Sequence, residues 1–88
     1  MKTYSVYVLW STAGKRFYIG LSDDVDARVA QHNKGISKWT RRYAGSWELA
    51  YSRAFDSLGE ARRFENRLKR QKGGAGFYSL TGLKRPSS

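Results

Sequence analysis

The sequence predicts an α+β fold: a small three-stranded antiparallel or mixed sheet with flanking helices, in the order β-β-α-β-α. Three observations lead there. Residues 4–11, 16–21 and 47–55 are rich in aromatic and β-branched side chains, as strands are. Residues 25–34 and 57–72 place apolar residues three and four apart behind capping residues, as helices do. Glycines and short polar stretches separate these segments.

Each element follows from its residues. In 4–11 (YSVYVLWS), Tyr4, Val6, Val8 and Trp10 fall on one face, and Ser5, Tyr7 and Leu9 on the other. Ser11 to Lys15 reads as a turn in which Gly14 supplies positive φ. Residues 16–21 (RFYIGL) complete an antiparallel hairpin. Asp23 or Asp24 caps a helix over 25–34 that ends near Gly35, with Val25, Val29 and Ala30 facing inward. Residues 35–46 lack a period and carry Lys38, Arg41 and Arg42 around Trp39 and Tyr43, a basic loop laced with aromatics. Residues 47–55 (WELAYSRAF) alternate as a third strand. Ser57 and Glu60 fit a capping box that opens a helix over 57–72, with Ala61, Phe64 and Leu68 facing the core and Gly73-Gly74 as the stop. Residues 77–83 read as a short apolar turn packed on the body. Residues 1–83 form one domain, and 84–88 are expected to fray.

Composition narrows the chemistry. The 88 residues include no cysteine, which removes disulfides, thiolate nucleophiles and cysteine-based zinc sites. His32 is the single histidine, which argues against multi-histidine metal centres and a Ser-His-Asp set. No apolar stretch approaches the ~20 residues that span a bilayer, and residues 1–11 lack the features of a secretory signal. Seventeen Lys and Arg against seven Asp and Glu give a net charge of +10, a field that attracts polyanions.

Several residues sit in unexpected places. Arg28 and His32 share a helix face that adjoins Val25 and Val29. Taken alone, Arg28 reads as a side chain whose stem covers apolar surface, and His32 as a surface residue. Glu65 falls near the packed arc of the second helix. It is either an exposed partner of Lys69 or a carboxylate that holds Mg²⁺ or Mn²⁺ together with waters. Tyr7 and Tyr18 lie on adjacent strands, where a tyrosine is ordinarily a core residue with a hydrogen-bonded hydroxyl.

Taken together these residues match a pattern. Ser5-Val6-Tyr7 and Tyr18-Ile19-Gly20 stand with their tyrosines eleven positions apart. Arg28 and His32 follow as R-x-x-x-H, and Glu65 lies in E-A-R-R-F-E-N-R-L-K. The ordered set resembles the GIY-YIG nuclease domain over residues 3–72, and most closely its small stand-alone bacterial members. Larger relatives include homing endonucleases, some restriction enzymes and the incision subunit of nucleotide excision repair. Ser5 replaces the first glycine of the family motif, and Leu21 stands where repair-type members carry a lysine.

The resemblance implies a DNA endonuclease or exonuclease that uses one divalent ion, Mg²⁺ or Mn²⁺, and leaves a 5′-phosphate and a 3′-hydroxyl; with no targeting signal read in the sequence, that substrate sets the expectation of a cytoplasmic protein. It implies that Tyr7 or Tyr18 is the general base, Arg28 grips the scissile phosphate, His32 bonds the tyrosine or the phosphate, and Glu65 holds the metal. Lys34, Lys38, Trp39, Arg41, Arg42, Lys69 and Lys72 are the candidate DNA-binding surface, with Trp39 and Tyr43 either stacking on bases or packing the loop onto the sheet. Two other readings stay open. One is a nucleic-acid-binding module with weak or partner-dependent cleavage. The other is a basic RNA-associated protein in which the motifs are structural.

Overall fold

The alternation of residues 4–11 separates two sets of side chains, and each set includes buried residues, Val6 and Val8 on one side and Tyr7 and Leu9 on the other. In the computed structural model, which describes residues 2–86, this segment is β1 (Tyr4–Ser11), the middle strand of a sheet ordered β2-β1-β3. β2 (Arg16–Ser22) and β3 (Trp47–Phe55) both pair with it antiparallel, so the sheet is not mixed. The β1–β3 register slips between Val8 and Leu9, a bulge that adds local twist.

On one face Val6, Val8 and Ile19 meet Ala61, Phe64 and Leu68 of α2 (Leu58–Gln71) and Phe77 of α3 (Ala75–Thr81). On the other, Tyr7, Leu9 and Trp47 form a second cluster with Tyr18, Tyr43 and the Val25 and Val29 stripe of α1 (Val25–Asn33). The segment between α1 and β3 is an irregular loop with one 3₁₀ turn, Arg41–Tyr43.

The helix starts follow the sequence. Asp24 caps α1, its carboxylate accepting from the Ala27 N–H at 3.1 Å, while Asp23 pairs with Lys2 at 2.9 Å. The Ser57 hydroxyl accepts from the Glu60 N–H at 3.3 Å at the start of α2. Gly73, at φ +83°, follows its end.

Three expectations are corrected. Residues 77–83 are not a turn: a third helix spans Ala75–Thr81 and closes on Gly82 at φ +75°. Its glycine-rich start weakens the helical signal, and tertiary contact supplies what propensity lacks, with Phe77 fully buried and its ring 5.1 Å from that of Phe17. In the first turn the positive φ belongs to Lys15, at 53°, rather than to Gly14. Gly14 is small for a different reason, because a Cβ there would collide with the Tyr43 ring. Ala30 is exposed, since the buried arc of α1 turns through Val25, Val29 and His32 instead.

Residues 84–86 carry no regular structure, although the Arg85 guanidinium lies 4.9 Å from the centre of the Tyr78 ring. The remainder of the expected frayed tail, Ser87 and Ser88, lies outside the described residues.

Candidate active site

Tyr7 points from the central strand toward α1 and is almost fully buried, at 1% exposure. Its register partner across the hairpin is Gly20. A Cβ at Gly20 would collide with the Tyr7 ring and hydroxyl, which is the physical reason for a glycine at the end of Tyr18-Ile19-Gly20. Tyr18 lies diagonally across the same face, its ring 6.4 Å from that of Tyr7. It also lies 4.8 Å from the His32 ring and 6.3 Å from that of Trp47.

His32 is not a surface residue. It has no exposed area, and both ring nitrogens are engaged: Nε2 is 2.9 Å from the Tyr7 hydroxyl and Nδ1 is 2.6 Å from the Thr40 hydroxyl. Burial, and then the positive charge of Arg28, push its pKa down to about 4, so the ring is neutral at pH 7. Arg28, one turn earlier, is half-buried and donates to Gln31 Oε1 at 2.6 Å. Its guanidinium also acts on the Tyr7 phenol, lowering its pKa against the larger effect of burial.

Five influences meet on the Tyr7 phenol. Burial is the largest and raises its pKa, hydrogen bonding and charge from Arg28 lower it, and the charges of Tyr18 and Glu65 raise it. The balance is upward. In the resting protein Tyr7 is therefore a neutral phenol.

Glu65 belongs to α2, which packs on the opposite face of the sheet from α1, yet its charge reaches Tyr7. It is buried, at 8% exposure, and one carboxylate oxygen is 3.2 Å from Lys69 Nζ. The pairing with Lys69 exists, but the exposed position does not. Among the described residues no three His, Asp or Glu side chains gather as a metal cage. One buried carboxylate nevertheless fits a hard divalent cation such as Mg²⁺, which keeps several waters and takes further oxygens from substrate phosphates.

Beside this cluster opens a cleft of about 410 Å³ lined by Arg16, Phe17, Tyr18, Ile19, Trp39, Trp47, Lys69 and Lys72. Tyr18 is common to the cluster and the cleft, and Lys69 joins the cleft to Glu65. Three cations crowd its rim, and Lys72 responds: partial burial, then the charges of Arg16 and Lys69, lower its pKa. The loop aromatics divide. Trp39 is 77% exposed at the cleft, whereas Tyr43 packs against Gly14 and Trp47. Lys34, Lys38, Arg41 and Arg42 are exposed on the same loop.

The GIY-YIG catalytic domain matches residues 3–77 of this chain. The chain belongs to the GIY-YIG family. Among its relatives, it is 38% identical over 66 residues to a UPF0213 protein of Halobacterium salinarum, covering 75% of this chain and 84% of that one. It is 42% identical over 71 residues to a UPF0213 protein of Lacticaseibacillus paracasei, covering 80% and 78%. The solution NMR structure of a UPF0213 protein from Bacillus halodurans superposes with a TM-score of 0.58 at 32% identity, over 94% of this chain and 86% of that one.

The five candidate site residues, Tyr7, Tyr18, Arg28, His32 and Glu65, thus come from β1, β2, α1 and α2. Sequence reasoning missed Thr40, which completes the buried chain of hydroxyl and imidazole. It also missed Arg16 and Trp47, which line the cleft. Arg16 was legible only as one charge among seventeen. Thr40 lies in a stretch with no period and offered no signal at all.

Proposed function

We propose that this GIY-YIG protein is a metal-dependent nuclease that hydrolyses phosphodiester bonds in DNA, with Tyr7 as its general base. The supporting observation is the packing of Tyr7, Tyr18 and His32 against one another, with Arg28 and Glu65 acting on the Tyr7 phenol through their charges, beside a cleft lined by Tyr18, Arg16, Lys69 and Lys72. A core needs none of these polar groups. Each of them suits a reaction in which negative charge grows on phosphate oxygens.

Tyr7 is favoured over Tyr18 as base because His32 Nε2 lies 2.9 Å from its oxygen and the Arg28 guanidinium favours its phenolate. The phenol first gives its proton to solvent. The phenolate then takes a proton from the attacking water, a P–O bond forms, and the bond from phosphorus to the 3′-oxygen breaks. Arg28 donates to the non-bridging phosphate oxygens as their charge rises. Tyr18, half-buried at the cleft wall, orients the phosphate or the water.

Glu65 is the residue that would hold Mg²⁺ or Mn²⁺. An ion held there would supply positive charge to the phosphate and to the departing 3′-oxygen, and would offset the Glu65 charge, which adds to the larger effect of burial in raising the Tyr7 pKa. Arg16, Lys69 and Lys72 take backbone phosphates in the cleft, and Lys34, Lys38, Arg41 and Arg42 take others along the loop. Trp39 offers a stacking face to a base.

The test is incubation of the protein with end-labelled single-stranded, duplex and branched DNA, and with RNA, in Mg²⁺ or Mn²⁺. Cleavage that falls at least ~100-fold in Glu65→Ala, Arg28→Ala and Tyr7→Phe is the expected result. Equal cutting by the variants would remove the proposed mechanism. Binding without cutting would favour the nucleic-acid-binding module. A larger loss in Tyr18→Phe than in Tyr7→Phe would exchange the roles of the two tyrosines.

A further inference from the structure

Lys69 is the residue of α2 that lines the cleft, and it is exposed. Each residue turns the helix by about 100°, so the side chains next to Lys69 round the open side of α2 can be placed. Measured from Lys69, Arg62 falls at about 20°, Asn66 at about 60°, Arg70 at about 100° and Arg63 at about 120°. All four are exposed. Neither acidic residue of α2 enters this arc: Glu65 falls at about −40°, on the buried side, and Glu60 at about 180°.

A helix face that meets only water ordinarily interleaves acids with bases, because like charges three and four apart repel. This arc carries cations without acids. Among the described residues the side-chain ion pairs are Lys2 with Asp23 and Lys69 with Glu65, so Arg62, Arg63 and Arg70 have no carboxylate partner. Arg67, four after Arg63 and three before Arg70, adds repulsion rather than relief. The helix dipole accounts for Lys69 and Arg70 in the last turn, but not for Arg62 and Arg63 in the first half of the helix. The unpartnered cations are arginines, whose planar fork fits a phosphate.

We propose that this acid-free arc of α2 is a further DNA-binding surface, a phosphate track that takes the backbone out of the cleft from Lys69 toward Arg62. The proposal rests on the reading of the cleft as a DNA site and extends it to Arg62, Arg63 and Arg70, which are neither candidate site residues nor part of the loop. The spacing suits a strand. Arg62 and Lys69 are two helical turns apart, about 10 Å along the axis, and so are Arg63 and Arg70. That length matches about three steps of one DNA strand at 3.4 Å each. Asn66, between the two cations of the first pair, adds a neutral donor to the same line. Contacts of this kind supply affinity and fix the direction of the strand, and they read no sequence.

The test is the affinity of the protein for a fluorescently labelled DNA duplex, measured in EDTA over a series of salt concentrations. One variant combines Arg62→Gln, Arg63→Gln and Arg70→Gln. A control combines Arg53→Gln, Lys84→Gln and Arg85→Gln, which removes the same charge from β3 and from the segment after α3. Gln has nearly the helix propensity of Arg and the replaced side chains are exposed, so both variants should fold, with Tm as the check. Each lost phosphate contact reduces the slope of log affinity against log salt by about 0.9. The arc variant should therefore lose about 2–3 from the slope, and the control less than about 1. An unchanged slope in the arc variant would overturn the proposal. So would an equal loss in both variants, or a duplex that the unaltered protein does not bind. The expected loss of slope in a protein that binds DNA but never cuts it would defeat the nuclease reading alone and leave the track standing.

Discussion

The two faces of one sheet are built on different principles. Against α2 and α3 the buried set is Val6, Val8, Ile19, Ala61, Phe64, Leu68 and Phe77, held by packing. Against α1 and the loop, Tyr7, Leu9 and Trp47 are buried with His32, Thr40 and Ser11, and hydrogen bonds link their polar atoms. Packing has no direction, so the first face tolerates any side chains that fill its volume. Hydrogen bonds do have direction, so the second face holds particular atoms at particular distances. A small domain with one modest core benefits from this division. One side supplies stability, and the other spends conformational freedom on a fixed arrangement of groups.

The sharpest way to break the comparison is a pair of truncations. Leu68→Ala should destabilise the fold by about 2–5 kcal/mol, lowering Tm by roughly 10–30 °C, because Leu68 is fully buried among carbon atoms. Tyr7→Phe keeps the ring and should cost only about 1–2 kcal/mol, chiefly the unpaired partner on His32. Urea unfolding of both variants checks the order. If Tyr7→Phe proves the more destabilising, the polar face is the one that carries the fold.

The next effect comes from pH. His32 titrates near 6.5 in the unfolded chain and at about 4 in the folded protein. Between those values the unfolded state binds more protons, so stability rises with pH across the window and is lost as pH falls through it. The loss should reach roughly 3 kcal/mol by pH 4, the shift of about 2.5 units taken at 1.36 kcal/mol each. Unfolding midpoints measured from pH 7 to pH 4 should show this slope. In His32→Gln the slope should flatten, and an unchanged slope would place the titrating group elsewhere.

The smallest effect concerns how the polar face is held in place. Asp24→Ala removes the α1 cap and should cost about 1 kcal/mol of stability. Because α1 carries Arg28 and His32, it should also lower hydrogen-exchange protection in 25–33 before any change appears in α2. Equal loss in both helices would mean that the two faces unfold as one unit.

Much of this architecture was legible in the residues. The alternation at 4–11 assigned Val6 and Val8 to one side and Tyr7 and Leu9 to the other, as the register bears out. Ser57, the Asp23-Asp24 pair and Gly73 marked helix ends because local backbone chemistry sets such ends, and the fold chose Asp24 of the pair. α3 was not legible, since Phe77 and Tyr78 hold it by packing on Phe17, a contact made across some sixty positions of chain. Candidate site residues were legible as an ordered set, but Thr40 and Arg16 were not.

Sequence alone determined the three strands and the first two helices, the basic field and the family, because periodicity, capping, charge and motif order are properties of neighbours along the chain. Tertiary structure alone decided that His32 is buried and neutral, that the charge of Glu65 acts on Tyr7 from another helix, and that Thr40 completes the hydrogen-bonded chain. Those facts depend on which distant atoms share a dry interior, and the distance between two atoms there is set by packing in three dimensions, not by spacing in one.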